Sequence, residues 1–182
     1  MKQNSKTKKK RILNAVQVKA IFARFAREMA QRYGGLDQVV FIGVRTRGPY
    51  VAKRLAQLIK KRHGKEIPVG EMDITLYRDD LNALLPGGTI DHTRIPFDIA
   101  NKIVVLFDDV LHTGRTVRAA VDHLIDLGRP RMIHLAVMID RGGRELPVAA
   151  NYVGKTIKLA AGGQVQVRLK EVDRADEVVV ET

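Results

Sequence analysis

Three segments of the chain are apolar without polar alternation: VVFIGV (Val39–Val44), KIVVLF (Lys102–Phe107) beyond its first lysine, and MIHLAVMI (Met132–Ile139), interrupted by one histidine. A strand with one wet face alternates polar and apolar residues, whereas a strand covered on both faces does not. Stretches with helical spacing separate these segments. Residues 14–33 put Val18, Ile21, Phe22, Phe25 and Met29 on one face and Lys19, Arg24 and Arg27 on the other, before Gly34-Gly35. Pro49 suits the first turn of a second helix running to about His63. Val117–Leu127 reads as a third helix, stopped by Gly128 with Pro130 beyond it. IPVGEMDIT predicts another strand, and QVQVRLKEV and DEVVVE alternate as an antiparallel pair. Strands and helices in this order predict an α/β fold, a mainly parallel twisted sheet flanked by helices. Ligands of such sheets collect at the carboxyl ends of the strands.

A chain of 182 residues accommodates one such domain, assigned to residues 14–182. Residues 1–13 read as a basic disordered arm. Lys2, Lys6, Lys8, Lys9, Lys10 and Arg11 carry half of the net charge of +12, with no acid among them. Residues 76–101 lack periodicity and read as a lid, hairpin arm or loop. The absence of cysteine excludes disulfides and thiolate-bound metals. No apolar run reaches the roughly 18 residues of a membrane span, and the basic start lacks the apolar stretch of a secretory signal. A cytoplasmic protein without membrane association is the expectation.

Three loops fall at the carboxyl ends of the strands: RTRG after the first, DDVLHTGRT after the third and DRGGRE after the fourth. In the second loop, Thr113, Gly114, Arg115 and Thr116 open a helix, where unpaired N–H groups and the helix dipole attract an anion. Gly114 lets the backbone approach closely. Asp108 and Asp109 would repel a phosphate but suit the paired hydroxyls of a ribose. Sugar-binding carboxylates beside a donor nest describe a ribose 5-phosphate site. The P-loop and dinucleotide-binding glycine patterns are both missing.

The run VVLFDDVLHTGRT resembles the signature of type I phosphoribosyltransferases, which bind phosphoribosyl pyrophosphate (PRPP). Together with RTRG, DITLYRDDL (Asp73–Leu81), GRP (Gly128–Pro130) and DRGGRELPVAANYVGKTI, it closely resembles the PyrR family over residues 14–180. The resemblance implies the type I phosphoribosyltransferase fold with a small hood and a flexible loop. It implies PRPP binding by Arg45, Thr46, Arg47 and Gly48 together with Asp108, Asp109, Val110, Leu111, His112, Thr113, Gly114, Arg115 and Thr116. Asp108 and Asp109 would orient the sugar, with Arg47 and Arg78 facing the leaving pyrophosphate. Magnesium would be carried mainly by the pyrophosphate, without a protein metal site. Backbone groups around Met138, Ile139, Asp140 and Arg141 would meet uracil. Arg24, Arg27, Arg32 and Lys155 would contact an RNA hairpin.

On this resemblance the expected function is a UMP-responsive, RNA-binding regulator of pyrimidine operon transcription, acting by attenuation. The same protein would convert uracil and PRPP to UMP and pyrophosphate. Two alternatives stay open: a uracil or purine phosphoribosyltransferase without an RNA role, and an RNA regulator whose enzyme site survives only as a nucleotide sensor. A homodimer or larger homo-oligomer is implied. The chain departs from the family's usual pattern at Gly143, where histidine is common, at His112, where tyrosine is common, and at Thr156–Leu159.

Overall fold

A computed structural model describes residues 9–75, 92–159 and 162–182. Along the chain run β1 (Lys9–Leu13), α1 (Ala15–Tyr33), β2 (Val39–Val44), α2 (Gly48–His63), β3 (Val69–Met72) and β4 (Ile103–Leu111). They are followed by α3 (Arg115–Leu127), β5 (Met132–Asp140), β6 (Tyr152–Thr156), β7 (Gln164–Arg168), α4 (Lys170–Asp173) and β8 (Glu177–Glu181). Strands β3-β2-β4-β5-β6 form a five-stranded sheet, parallel at every pairing. The expected α/β architecture is thus present. A smaller antiparallel sheet, β1-β8-β7, stands beside it.

The large sheet separates two apolar cores, which is why its central strands need no alternation. On one face α1 and α2 bury Phe22, Phe25, Met29, Leu55 and Ile59 against Phe41, Phe107 and Met138. Phe41 and Phe107 meet edge to face with centroids 4.8 Å apart. On the other face α3 contributes Val117, Ala120 and Leu124, packed against Ile42, Leu106 and Val137. Asn14 and Gln17 cap α1 reciprocally, each side chain accepting from the other's backbone N–H, at 3.0 and 2.9 Å. Among the described residues no helix is long and apolar enough to cross a membrane.

The structure departs from the sequence reading at four places. The first concerns β4, which does not end at Phe107 but continues to Leu111, because Asp108, Val110 and Leu111 stay in register with Val137, Ile139 and Asp140 of β5. The acidic pair therefore sits within the last four residues of a strand and not in a loop. The second is the arm of residues 1–13: its Lys9–Leu13 portion is strand β1, paired with β8, and its remaining residues lie outside the described ones. Leu13 is buried in the core, and Lys9 pairs with Glu181 at 2.7 Å, so this basic segment finds both an apolar anchor and an acidic neighbour. The third is β6, a short edge strand that had no apolar signal of its own. The fourth is the 76–101 insertion. Its residues 76–91, Arg78 included, lie outside the described residues, whereas Arg94 exchanges backbone hydrogen bonds with Glu71 and Ile99 is buried in the second core.

Candidate active site

The carboxyl ends of β2, β3 and β4 and the start of α3 enclose a cleft of about 390 Å³. Arg45, Thr46, Asp73, Asp108, Asp109 and Thr116 are among the residues that line it. Its walls come close because glycine permits it. A Cβ on Gly43 would lie 2.2 Å from Pro49 N, and one on Gly48 would lie 2.4 Å from the Phe107 carbonyl. The first turn of α2 is thereby pressed onto the ends of β2 and β4. The Arg45–Thr46 peptide bond between them is cis.

Asp108 is 7% exposed, and its Oδ1 accepts the Asp109 backbone N–H at 2.8 Å. Burial pushes the Asp108 carboxyl well above the ordinary carboxylate range, and the Asp109 charge adds to this. Burial raises Asp109 as well, opposed by its contact with Asp108 and by the Arg47 guanidinium. The pair is therefore a reluctant dianion that gains from neighbouring O–H donors. At the start of α3, Gly114 adopts φ +94° and has no side chain to cap the helix; Thr113 Oγ1 accepts the Arg115 N–H at a long 3.4 Å, and the helix start opens beside Thr116. A Cβ at Gly114 would also come within 3.2 Å of Val148.

Not every expected residue reaches the cleft. Val110 lines it, but Leu111 turns into the second core. Arg115 points away and pairs with Glu145 at 2.7 Å. Arg47 stands at the start of α2 with its guanidinium held by Asp173 of α4, through Nη2–Oδ1 at 2.8 Å and Nε–Oδ2 at 3.2 Å. That hydrogen-bonded pairing raises Arg47 and lowers Asp173 from their ordinary values. Asp73, Thr75 and His92, which carried no assignment, line the cleft. Asp73 Oδ1 accepts from the Thr75 backbone N–H at 3.0 Å and from its hydroxyl at 2.6 Å. Asp73 and Thr75 belong to the DITLYRDDL motif, which is the signal the sequence carries for them.

The four residues expected at uracil lie at the end of β5, outside the cleft's lining. Met138 and Ile139 bury their side chains in the core, which leaves only their backbone for a ligand. Asp140 accepts from the Gly142 N–H at 2.9 Å and from Arg144 Nη2 at 2.6 Å, which holds its carboxyl below the usual range against the opposing effect of burial. The loop that follows is stitched onto the phosphate loop. Arg141 N–H donates to the Leu111 carbonyl at 3.0 Å, Arg144 Nη1 to that of His112 at 2.7 Å, and Glu145 N–H to that of Thr113 at 2.9 Å. His112 and Gly143 face each other across this seam: a Cβ on Gly143 would lie 2.9 Å from the His112 Nε2.

The four residues expected at RNA divide. Arg27, Arg32 and Lys155 are exposed, with the Arg32 guanidinium 5.7 Å from the Tyr152 ring centroid. Arg24 instead donates to the Val153 and Gly154 carbonyls at 2.7 and 2.9 Å, tying α1 to β6, and so serves the fold.

Residues 9–171 match the phosphoribosyl transferase domain family. A protein called bifunctional protein PyrR from Chloroflexus aurantiacus is 52% identical over 171 residues, covering 94% of each chain. The chain belongs to the PyrR family of phosphoribosyltransferases. The bifunctional protein PyrR of Thermus thermophilus is 48% identical over 170 residues, which is 93% of this chain and 94% of that one. Among solved structures, a hypoxanthine phosphoribosyltransferase from Staphylococcus aureus superposes with a TM-score of 0.68 at 19% identity, over 93% of this chain and 90% of its own. That likeness extends the PyrR fold assignment to the wider phosphoribosyltransferase architecture and says nothing of the base.

Proposed function

We propose that this PyrR-family protein transfers phosphoribosyl from PRPP to uracil, giving UMP and pyrophosphate, and regulates pyrimidine operon transcription by binding leader RNA when UMP is plentiful. The observation that carries the enzymatic half is the cleft itself. It joins the buried Asp108 carboxylate, the half-buried Asp109 beside it, the start of α3 and the Arg45–Thr46 loop in one space. Relatives of about 50% identity bearing the name bifunctional protein PyrR support the pairing of two roles.

In this reading the ribose hydroxyls donate to Asp108 and Asp109, and the 5-phosphate accepts from the first-turn N–H groups of α3 and the Thr116 hydroxyl. Pyrophosphate lies against the Arg45–Gly48 loop. Carbon 1 becomes cation-like as pyrophosphate departs, and the uracil nitrogen attacks it as its N–H proton passes to the medium. The carboxylates hold the sugar in place and favour its developing positive charge. Arg47 and Arg78 face the departing pyrophosphate. Uracil meets the backbone at Met138–Arg141, positioned by the seam between the two loops. The set of donors in the cleft fits magnesium as an ion carried by the substrate: among the described residues no three metal-ligating side chains converge, and the oxygens on offer are carboxylates suited to a hard cation. Bound there, magnesium would neutralise pyrophosphate charge.

On the RNA side, Arg27, Arg32 and Lys155 contact phosphates. The protein works as a homo-oligomer in the cytoplasm. The test is to incubate pure protein with magnesium, PRPP and each nucleobase, and to titrate a pyrimidine-leader hairpin with and without UMP. UMP formation from uracil and tighter hairpin binding with UMP are expected. Turnover of hypoxanthine or guanine alone would discard the uracil assignment, and hairpin affinity indifferent to UMP would remove attenuation.

A further inference from the structure

A second concavity, about 590 Å³, lies between α1, α2 and α4. Its floor is apolar and includes Phe22, Ala23 and Leu58. Two carboxylates line it, Glu171 and Asp176, but both pair with Arg54, whose guanidinium also lies 5.1 Å from the Phe22 ring centroid. Four further cations surround the groove: Lys19, Lys61, Arg62 and Lys170. All four are exposed, and among the described residues none of them has an acidic partner. The dipole of α2 favours basic residues in its last turn, yet it does not account for Lys19 on α1 or Lys170 on α4. Lys60, in the same last turn, is neutralised by Glu66 at 2.8 Å.

This groove is continuous with the face that carries Arg27 and Arg32. Residues four apart share a ridge on a helix, and Lys19, Ala23, Arg27 and Gln31 make one such ridge. Lys19 and Ala23 line the groove, whereas Gln31 and Arg32 line another hollow bordered by Tyr152. The ridge is about 18 Å long at 1.5 Å per residue. Along α1 the groove thus runs towards the face that carries Arg27 and Arg32, where Glu28 is paired to Arg24 at 3.4 Å.

We infer that the groove between α1 and α2 is a second phosphate-binding segment of the RNA site, holding the strand that flanks the hairpin recognised through Arg27, Arg32 and Lys155. This rests on the RNA reading above. The cations supply the charge complementarity. A floor of alanine, valine and leucine side chains, with Phe22 buried, offers no exposed ring for base stacking, so the contacts are to the backbone and independent of sequence.

The test compares wild type, a Lys61→Gln/Arg62→Gln variant and an Arg27→Gln/Arg32→Gln variant, using a pyrimidine-leader hairpin with and without eight flanking nucleotides. The first variant should bind the flanked hairpin about tenfold less tightly near 0.1 M salt, and its salt dependence should flatten by about one to two ions, at roughly 0.7–0.9 per phosphate contact. It should bind the trimmed hairpin as wild type does, keep its thermal midpoint within about 5 °C, and form UMP at the wild-type rate. A Lys61/Arg62 variant with unchanged affinity and salt slope, beside an Arg27/Arg32 variant that loses binding, would overturn this inference alone. Wild type that ignores both hairpins would overturn the RNA reading and this inference together. Polyglutamate that binds wild type more tightly than the flanked RNA at equal charge, and loses that preference in the Lys61/Arg62 variant, would assign the groove to an acidic protein instead, and would also overturn it.

Discussion

Arg47 and Asp173 stand 126 residues apart in the chain and are joined by two hydrogen bonds, one through Nη2 and one through Nε, that lock the guanidinium in a plane. Arg47 belongs to the loop proposed for pyrophosphate, and Asp173 to the short helix α4 beside the small sheet. The pair is partly exposed, with side-chain exposures of 29% and 19%. Such a bridge contributes at most about 1 kcal/mol, so a pyrophosphate bound as proposed, carrying more charge, should outcompete it. Asp173→Asn should therefore free Arg47 and lower the KM for PRPP by up to about fivefold, with kcat little changed. Arg47→Ala should reduce kcat/KM by about 100-fold or more. Steady-state kinetics at varied PRPP measure both, and a raised KM in Asp173→Asn would show that the acid holds Arg47 ready instead of restraining it.

The same pair sets a pH dependence. The folded-state pKa of Asp173 is lowered, chiefly by its hydrogen bond to Arg47. Its contribution to stability is present above the unfolded carboxylate pKa and is lost as pH falls through the lower folded value. Between pH 7 and pH 3, Asp173→Asn should lose less stability than wild type, as read by denaturant unfolding at each pH.

Asp108 and Asp109 have the opposite sign. Their folded-state pKa values are raised by burial, so these groups destabilise the fold as pH rises from the unfolded carboxylate pKa through the folded values. Asp108→Asn should then raise the thermal midpoint at pH 7, by an amount worth about 0.5–2 kcal/mol. Asp108→Asn with Asp109→Asn should lower turnover by about 1,000-fold or more. Hydroxyl donors of PRPP favour the ionised pair, so PRPP binding should release protons and tighten as pH rises. Calorimetry in buffers of different ionisation enthalpy reads that release. A double variant that still turns over would refute the sugar-binding role.

Tyr33, at the end of α1, hydrogen-bonds to His134 Nδ1 at 2.7 Å and receives the Tyr152 hydroxyl at 3.0 Å. Burial raises the Tyr33 phenol and, with Arg32 nearby, lowers the His134 imidazole, so the network is neutral near pH 7. Tyr33→Phe leaves a buried imidazole nitrogen unpaired and should cost about 1–3 kcal/mol, read as a lower midpoint in urea. UMP formation should persist, because none of the three side chains lines the cleft.

Gly143 holds φ +74°, and a side chain there would strike His112 Nε2 at 2.9 Å. Gly143→Ala should destabilise the seam between the two loops by about 1 kcal/mol from backbone strain alone, raising the KM for uracil more than that for PRPP. Adding His112→Ala should recover the steric part of that loss and leave the backbone part. Identical kinetics in the single and double variants would mean that the imidazole moves aside freely.

Much of this protein is written in local patterns. The unalternating strands, the spacing of Val18 to Met29 on α1, and the order of D-D, T, G, R and T after KIVVLF each depend on neighbours within a few residues. Burial on both faces and an uncapped helix start follow from such neighbours directly. The sheet, three major helices and the position of the acidic pair near a strand end were legible for that reason. What only the tertiary structure decided involves partners far apart in the chain. Basic Lys9–Leu13 becomes a strand because β8 lies alongside it. β6, lacking an apolar run, exists because β5 offers it an edge. Arg24 donates to the Val153 and Gly154 carbonyls, and Arg47 turns to Asp173. A cation in a sequence shows its charge; which acceptor it meets depends on chain closure over more than a hundred residues, and no local spacing encodes that distance.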